Sequence, residues 1–180
     1  SSQIEALVFG VKDIIKQENI RKDRLRGVGI GVPGPVDWKK GLIHYFPNID
    51  GWKNTPLRSI LQRKLKMKVG VDNDVNAMAA GEYKFGAGKG SGNLICLTLG
   101  TGVGGGIIIG GSIYRGSSMC AGEIGHIPIS VGGPECTCGG HGCLESYIGN
   151  RRILNRAKKV FGKGITLEKL NSLGRKGNKK

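Results

Sequence analysis

The chain has 180 residues, 33 of them glycine, with 38% hydrophobic and 6% aromatic residues, enough for one ordinary domain or two small lobes with real cores. Charged residues make up 23%, which argues against wholesale disorder, and the glycines follow no three-residue period, which excludes collagen. The net charge of +15 is mostly terminal: residues 151–180 carry eleven Lys/Arg against one acid, Glu168, so a solvated basic tail is read rather than a nucleic-acid or membrane surface.

Ile4, Leu7, Val8, Val11, Ile14 and Ile15 recur at helical spacing, so an amphipathic helix is predicted over residues 3–18. The apolar run 27–32 reads as a buried strand that Pro33-Gly34-Pro35 must end, because proline cannot extend a ladder. Leu57, Ile60, Leu61 and Leu65 predict a second helix, opened by Thr55 as cap and Pro56 at its first position. Val69-Gly70-Val71 is a strand running into Asp72-Asn73-Asp74, and residues 75–85 form an Ala-rich helix. The glycine-rich stretch 86–92 reads as a joint between an N-terminal small lobe, 1–90, and the start of a large lobe, 91–180. Residues 94–99 and 106–109 are predicted to pair as a hairpin across a glycine loop. Residues 90–114 are uncharged over 25 positions, long enough for a membrane span, but nine glycines with Asn93, Thr98 and Thr101 make strand–loop–strand the better reading. Helical periodicity returns at Ile153, Leu154, Ala157, Val160 and Phe161, then at Leu167, Leu170 and Leu173. No signal-peptide pattern opens the chain, which reads as soluble and cytoplasmic. A helix-first start and an ending on GRKGNKK lead us to expect a fragment of a longer protein.

Five cysteines is an odd number, and Cys136, Cys138 and Cys143 fall within eight residues, which fits a metal site in a reducing compartment better than a disulfide framework. With His126 they supply three thiolates and an imidazole, a closed tetrahedral set for a structural zinc ion, and the glycines of loop 126–143 let it bend around the metal. His141, inside the loop, competes with His126 as fourth ligand, while Cys96 and Cys120 read as core thiols. In Leu99-Gly100-Thr101-Gly102-Val103-Gly104-Gly105-Gly106 the backbone can approach an anion, although a tight hairpin explains the run equally well. It is neither a Walker A loop, lacking a terminal Gly-Lys-Ser/Thr, nor a dinucleotide fingerprint, since strand follows it. Asn73-Asp74 sits where a strand ends and a helix begins, the edge where α/β proteins bind ligands and equally a place for an N-cap. The metal loop is expected to bring Glu123, His126 and Glu145 together, a set suited to hydroxyls rather than phosphate; Glu145 alone is as well read as a solvated helix start.

Taken in order, VGIGVPGPVD (28–37), FPNIDGW (46–52), VDNDVNAMAAGE (71–82), LTLGTGVGGGIIIGG (97–111), AGEIGH (121–126) and CTCGGHGCLE (136–145) resemble the ROK family of sugar kinases and sugar-responsive repressors, most of all its bacterial glucokinases. The resemblance covers roughly residues 1–175 and implies an α/β, actin/ribonuclease-H-like, two-lobed sugar kinase fold, here incomplete, with a zinc-binding loop. It implies Asp74 as the general base on a sugar hydroxyl, with Asn73, Glu123, His126 and Glu145 on the others and Gly34 meeting the sugar through backbone. Gly100, Thr101, Gly102, Val103, Gly104 and Gly105 would cradle the ATP phosphates, helped by Mg²⁺, and His126, Cys136, Cys138 and Cys143 would hold Zn²⁺. The implied reaction is ATP-dependent phosphorylation of a hexose, glucose to glucose 6-phosphate, by the full-length parent, which is expected to form a homodimer or higher homo-oligomer. The family's first phosphate hairpin, Asp-x-Gly-x-Thr, and its adenosine-binding segment are absent from this stretch, which alone is not expected to transfer phosphate. The alternative is the sugar-sensing body of a ROK repressor. A nucleic-acid zinc module is disfavoured because no Lys or Arg lies between Arg115 and Arg151.

Overall fold

A computed structural model describes residues 2–46 and 51–175. The chain opens with helix α1 (Ser2–Gln17), whose apolar stripe buries Ile4 and Val8. Strand β1 (Val28–Val32) pairs in parallel with β5 (Val69–Asn73), from Val28 opposite Val69 to Val32 opposite Asn73. Parallel partners need a long crossover. Here it is an antiparallel sheet of β2 (Val36–Asp37), β3 (Leu42–Tyr45) and β4 (Lys53–Thr55), followed by helix α2 (Leu57–Leu65). Ile43, Leu57 and Leu61 are wholly buried, and they join Ile4, Val8, Val32, Trp52, Leu65, Val69 and Val71 in one core. Phe46 and Trp52 meet edge to face with ring centroids 4.7 Å apart. Residues 47–50 of the motif FPNIDGW, and 176–180 of the tail, lie outside the described residues.

Two local expectations are corrected. Thr55 does not cap α2: it belongs to β4, Pro56 precedes the helix, and the Arg58 N–H goes to the Gly41 carbonyl at 3.1 Å instead of to a cap side chain. β1 is covered on one side only, Gly29 and Gly31 being exposed between half-buried Val28 and Ile30.

Helix α3 (Asp74–Phe85) starts without a loop where β5 stops and ends at Gly86. Residues 86–92 follow as turns, closed by the Gly88 N–H on the Glu82 carbonyl. β6 (Leu94–Leu99), β7 (Val103–Ile109) and β8 (Ser112–Ile113) then form an antiparallel meander. β7 begins three residues earlier than the apolar pattern predicts, because Val103, Gly104 and Gly105 already pair with Leu99, Thr98 and Leu97. α3 packs on this meander as well as on β1 and β5. A Cβ at Gly104 would stand 2.6 Å from Val75 Cγ2, and one at Gly106 2.6 Å from Ala79 Cβ, so the glycines allow helix and strand to touch. A 3₁₀ turn at Ile124–His126, an irregular loop, α4 (Glu145–Ile148), α5 (Asn150–Phe161) and α6 (Leu167–Arg175) complete the described chain. Among the described residues no helix is long and apolar enough to cross a membrane.

Candidate functional site

The parallel register of β1 and β5 sets the Pro33-Gly34 turn beside Asn73. Asn73 is the N-cap of α3: its Oδ1 accepts from the N–H groups of Val75 (3.0 Å) and Asn76 (3.1 Å), while its Nδ2 donates to the Gly34 carbonyl at 3.4 Å. Asp74, the first helical residue, is exposed; its Oδ1 accepts from the Val75 N–H at 3.0 Å, and Oδ2 has no hydrogen-bond partner among the described residues. The capping reading therefore holds for Asn73, and Asp74 keeps carboxylate capacity for a ligand.

The segment after β8 forms the facing wall. Arg115 pairs with Asp72 Oδ2, and its guanidinium lies over the Trp38 ring, 4.4 Å from the centroid. Asp72 Oδ1 accepts from the Asn73 N–H at 2.9 Å, so one carboxylate links the Asn73 corner to this wall. Met119, on the same segment, is held at φ 63, a left-handed conformation that a non-glycine residue rarely adopts. A Cβ at Gly105 would stand 2.5 Å from the Gly122 carbonyl oxygen, and one at Gly125 would fall on the Val103 carbonyl oxygen. The turn carrying Glu123 and His126 thus lies flush against β7. The result is a narrow cleft with Gly34, Asn73 and Asn76 on one side and Cys120, Gly122 and Glu123 on the other. Cys120 is exposed at this cleft rather than in the core, and Cys96 is half-buried on β6. A more apolar hollow beside α1, lined by Ile15, Leu65 and Met67 among lysines, holds no acid or metal ligand.

His126 joins the cleft to the metal loop. Its Nε2 lies 3.8 Å from Glu123 Oε2, and its Nδ1 lies 3.5 Å from Cys136 Sγ. The ligand atoms of His126, Cys136, Cys138 and Cys143 all fall within 4.8 Å of one another, with Cys138 and Cys143 Sγ 3.8 Å apart. A tetrahedral ion with Zn–S bonds of about 2.3 Å spaces its sulfurs about 3.8 Å apart, so the residues fit zinc. His126, not His141, completes the cluster. Burial pushes the Cys136 thiol up, but hydrogen bonds from the Cys138 backbone and from His126 outweigh it and bring it down to about 6. Burial, with hydrogen bonding to Cys138 and Cys136, raises Cys143 to about 11. Cys136 is thus the readier thiolate of the pair and Cys143 the more reluctant one, and a metal bound here displaces thiol protons.

Glu145 opens α4 and has two partners of its own. Its Oε2 accepts from the Val103 N–H at 2.9 Å and its Oε1 from the Thr137 hydroxyl at 3.2 Å, which ties the metal loop to the glycine hairpin. Within that hairpin Gly100, Thr101 and Gly102 form the open turn, whereas Val103, Gly104 and Gly105 lie in β7, with Val103 and Gly105 buried. Sequence reasoning passed over Asn76, Asp72, Trp38 and Arg115. Asn76 is a lone amide in an Ala-rich helix and Arg115 the first charge after 25 uncharged residues, but neither pattern by itself points to a site.

The parallel strand pair, the helix springing from its carboxyl edge, the glycine meander and the Cys/His loop together define a mixed α/β protein with a polar cleft beside a Cys/His cluster able to hold a metal. The ROK family model matches residues 1–180, and the chain belongs to the ROK family, whose fold is actin/ribonuclease-H-like. It is 42% identical over 155 residues to the glucokinase of Streptomyces coelicolor, covering 86% of this chain and 48% of that protein. It is also 42% identical over 139 residues to the xylose repressor of Caldicellulosiruptor bescii, covering 77% of this chain and 35% of that one. Among solved structures, the ROK family glucokinase of Streptomyces griseus in complex with glucose and AMPPNP superposes with a TM-score of 0.79 at 35% identity, over 97% of this chain and 61% of that one. The chain thus spans about half the length, or less, of the curated relatives it matches.

Proposed function

We propose that the full-length protein transfers the γ-phosphoryl group of ATP to a hexose, glucose first. Asp74 is the residue on which this reading turns. It is an exposed carboxylate with an unengaged oxygen, placed by β5 and α3 beside the cleft that gathers Gly34, Asn73 and Glu123. In the proposed step Asp74 takes the proton of the sugar's primary hydroxyl as that oxygen bonds to the γ-phosphorus and ADP departs. Asn73 and Glu123 orient neighbouring hydroxyls, with His126 behind Glu123; Gly34 meets the sugar through backbone. Glu145 remains in the proposed sugar set, and its bond to Val103 also holds the hairpin turn toward the cleft. The turn Gly100–Gly105 is proposed for the ATP phosphates, with Gly100, Thr101 and Gly102 its open part, and Mg²⁺ neutralising phosphate charge. Zinc at His126, Cys136, Cys138 and Cys143 fixes the imidazole and the loop behind Glu123.

The repressor reading is supported by the xylose repressor relative at 42% identity. The glycine run does not separate the two readings, since close packing against α3 already requires Gly104 and Gly106. A base does separate them, because a sensor that only binds sugar has no proton to remove. The test is ATP-dependent phosphorylation of a sugar panel by the full-length protein and by Asp74→Asn. We expect sugar binding to persist in the variant while turnover drops about a thousandfold. Sugar binding without turnover in the unaltered protein would transfer the assignment to the repressor branch, and unchanged turnover in Asp74→Asn would remove Asp74 as the base.

A further inference from the structure

We infer that Asn76 reads a hydroxyl of the bound sugar, one that does not receive the phosphoryl group. The inference rests on the sugar-binding reading above and adds a residue to it. Asn76 is the third residue of α3 and is only 9% exposed. Its backbone N–H is satisfied by Asn73 Oδ1, yet its side-chain amide makes no hydrogen bond among the described residues. It lines the cleft, so the small opening left to it faces the space between the two walls.

An amide so enclosed, open only toward the cleft, is left to find its hydrogen bonds with what enters that cleft. The groups around it each already hold at least one interaction within the protein. Asn73 Oδ1 is shared by two backbone N–H groups, the Gly34 carbonyl accepts from Asn73, and the Cys120 thiol donates to the Ser118 carbonyl at 3.3 Å. Across the cleft Glu123 is turned to His126. Asn76 differs in having its whole amide, donor and acceptor, unengaged, in a slot it shares with a carboxylate that only accepts. A bare anion would be repelled by Glu123, and an apolar group would leave the amide unpaired. A hydroxyl suits both walls, since it donates to the carboxylate and exchanges hydrogen bonds with the amide. Asp74, by contrast, is exposed and does not line this slot, so the hydroxyl it would deprotonate is not the one that Asn76 meets.

Because that contact is the same before and during transfer, losing it should weaken sugar binding with little effect on turnover at saturation. The experiment is calorimetric titration of the full-length protein, Asn76→Ala and Asn76→Asp with glucose and a set of monodeoxyglucoses, beside saturation kinetics. We expect Asn76→Ala to bind glucose roughly tenfold more weakly, with kcat within roughly twofold of the unaltered protein. We expect one monodeoxyglucose to erase the difference between the unaltered protein and the variant, which identifies the hydroxyl. Asn76→Asp keeps the size of the side chain and removes its donor; it is scored by the same titration if Asn76→Ala fails to fold. Folded variants that bind every sugar as the unaltered protein does would overturn this inference alone. If the unaltered protein bound no sugar, the sugar reading itself would fall and this inference with it.

Discussion

Residues 2–85 and residues 94–148 are held together by opposite means. The first region buries side-chain volume: Ile43, Leu57 and Leu61 are fully enclosed, with Val32, Trp52, Leu65 and Val71 around them. The second leaves its strand residues Ile95, Leu97 and Leu99 exposed at 66%, 46% and 63%. There, cohesion comes from the absence of side chains at Gly104, Gly105, Gly106 and Gly125, which lets backbones touch, and from the His126–Cys136–Cys138–Cys143 cluster. The cleft lies where the two meet, with its Asn73 wall on the volume-packed side and its Glu123 wall on the backbone-packed side. A large core carries the Asn73 wall, and a thin layer holding the Cys/His cluster brings the facing wall close.

The sharpest way to break this contrast is to take away the metal. We expect one zinc per chain by elemental analysis, and chelation or Cys143→Ser should unfold residues 124–148 while amides of β1, β5 and α2 keep their exchange protection. Metal-coupled folding of this kind is worth on the order of 10 kcal/mol. Zinc-free protein with an unchanged exchange pattern would sink the idea. Leu61→Ala acts on the other region: a fully buried leucine there should cost about 3 kcal/mol in denaturant unfolding and leave zinc stoichiometry at one. Gly125→Ala puts a methyl on the Val103 carbonyl and should cost about 2 kcal/mol, read as faster exchange in β7 and the 124–126 turn but not in α2.

The smallest effect is expected at the surface pair between Lys64 and Glu5, 2.6 Å apart, which joins α2 to α1. The hydrogen bond and charge of Lys64 hold the Glu5 carboxyl below its ordinary value. Its contribution is therefore present above that ordinary value and is lost as pH falls through the lowered one. Lys64→Gln should shift the melting temperature by less than about 2 °C at neutral pH, and the shift should vanish in acid. A larger shift would mean that the first region depends on charge as well as volume.

Much of the candidate site was legible because its parts are local. Asn73-Asp74 follows a strand and opens a helix, and C-x-C-x4-C has few accidental readings. Asn76 was not legible: an Asn among Ala residues on a helix is ordinary until its neighbours are known to be engaged. Arg115 was equally silent, since its partners Asp72 and Trp38 are 43 and 77 residues away in sequence. The Thr55 cap failed because the Gly41 carbonyl, from a distant strand turn, had already taken the N–H that a cap would serve.

By itself the sequence determined the longer helices, the β1, β5 and β6–β7 strands, the clustered cysteines and the family, since periodicity, cysteine spacing and ordered motifs act over short stretches of chain. Only the tertiary structure decided that His126 rather than His141 completes the metal cluster and that Cys120 faces the cleft. It also decided that Glu145 bonds the glycine hairpin, and that Asn76 lines the cleft with no side-chain hydrogen bond among the described residues. Each of those depends on which groups are close in space and which hydrogen bonds are already made, and that is settled only when distant segments pack.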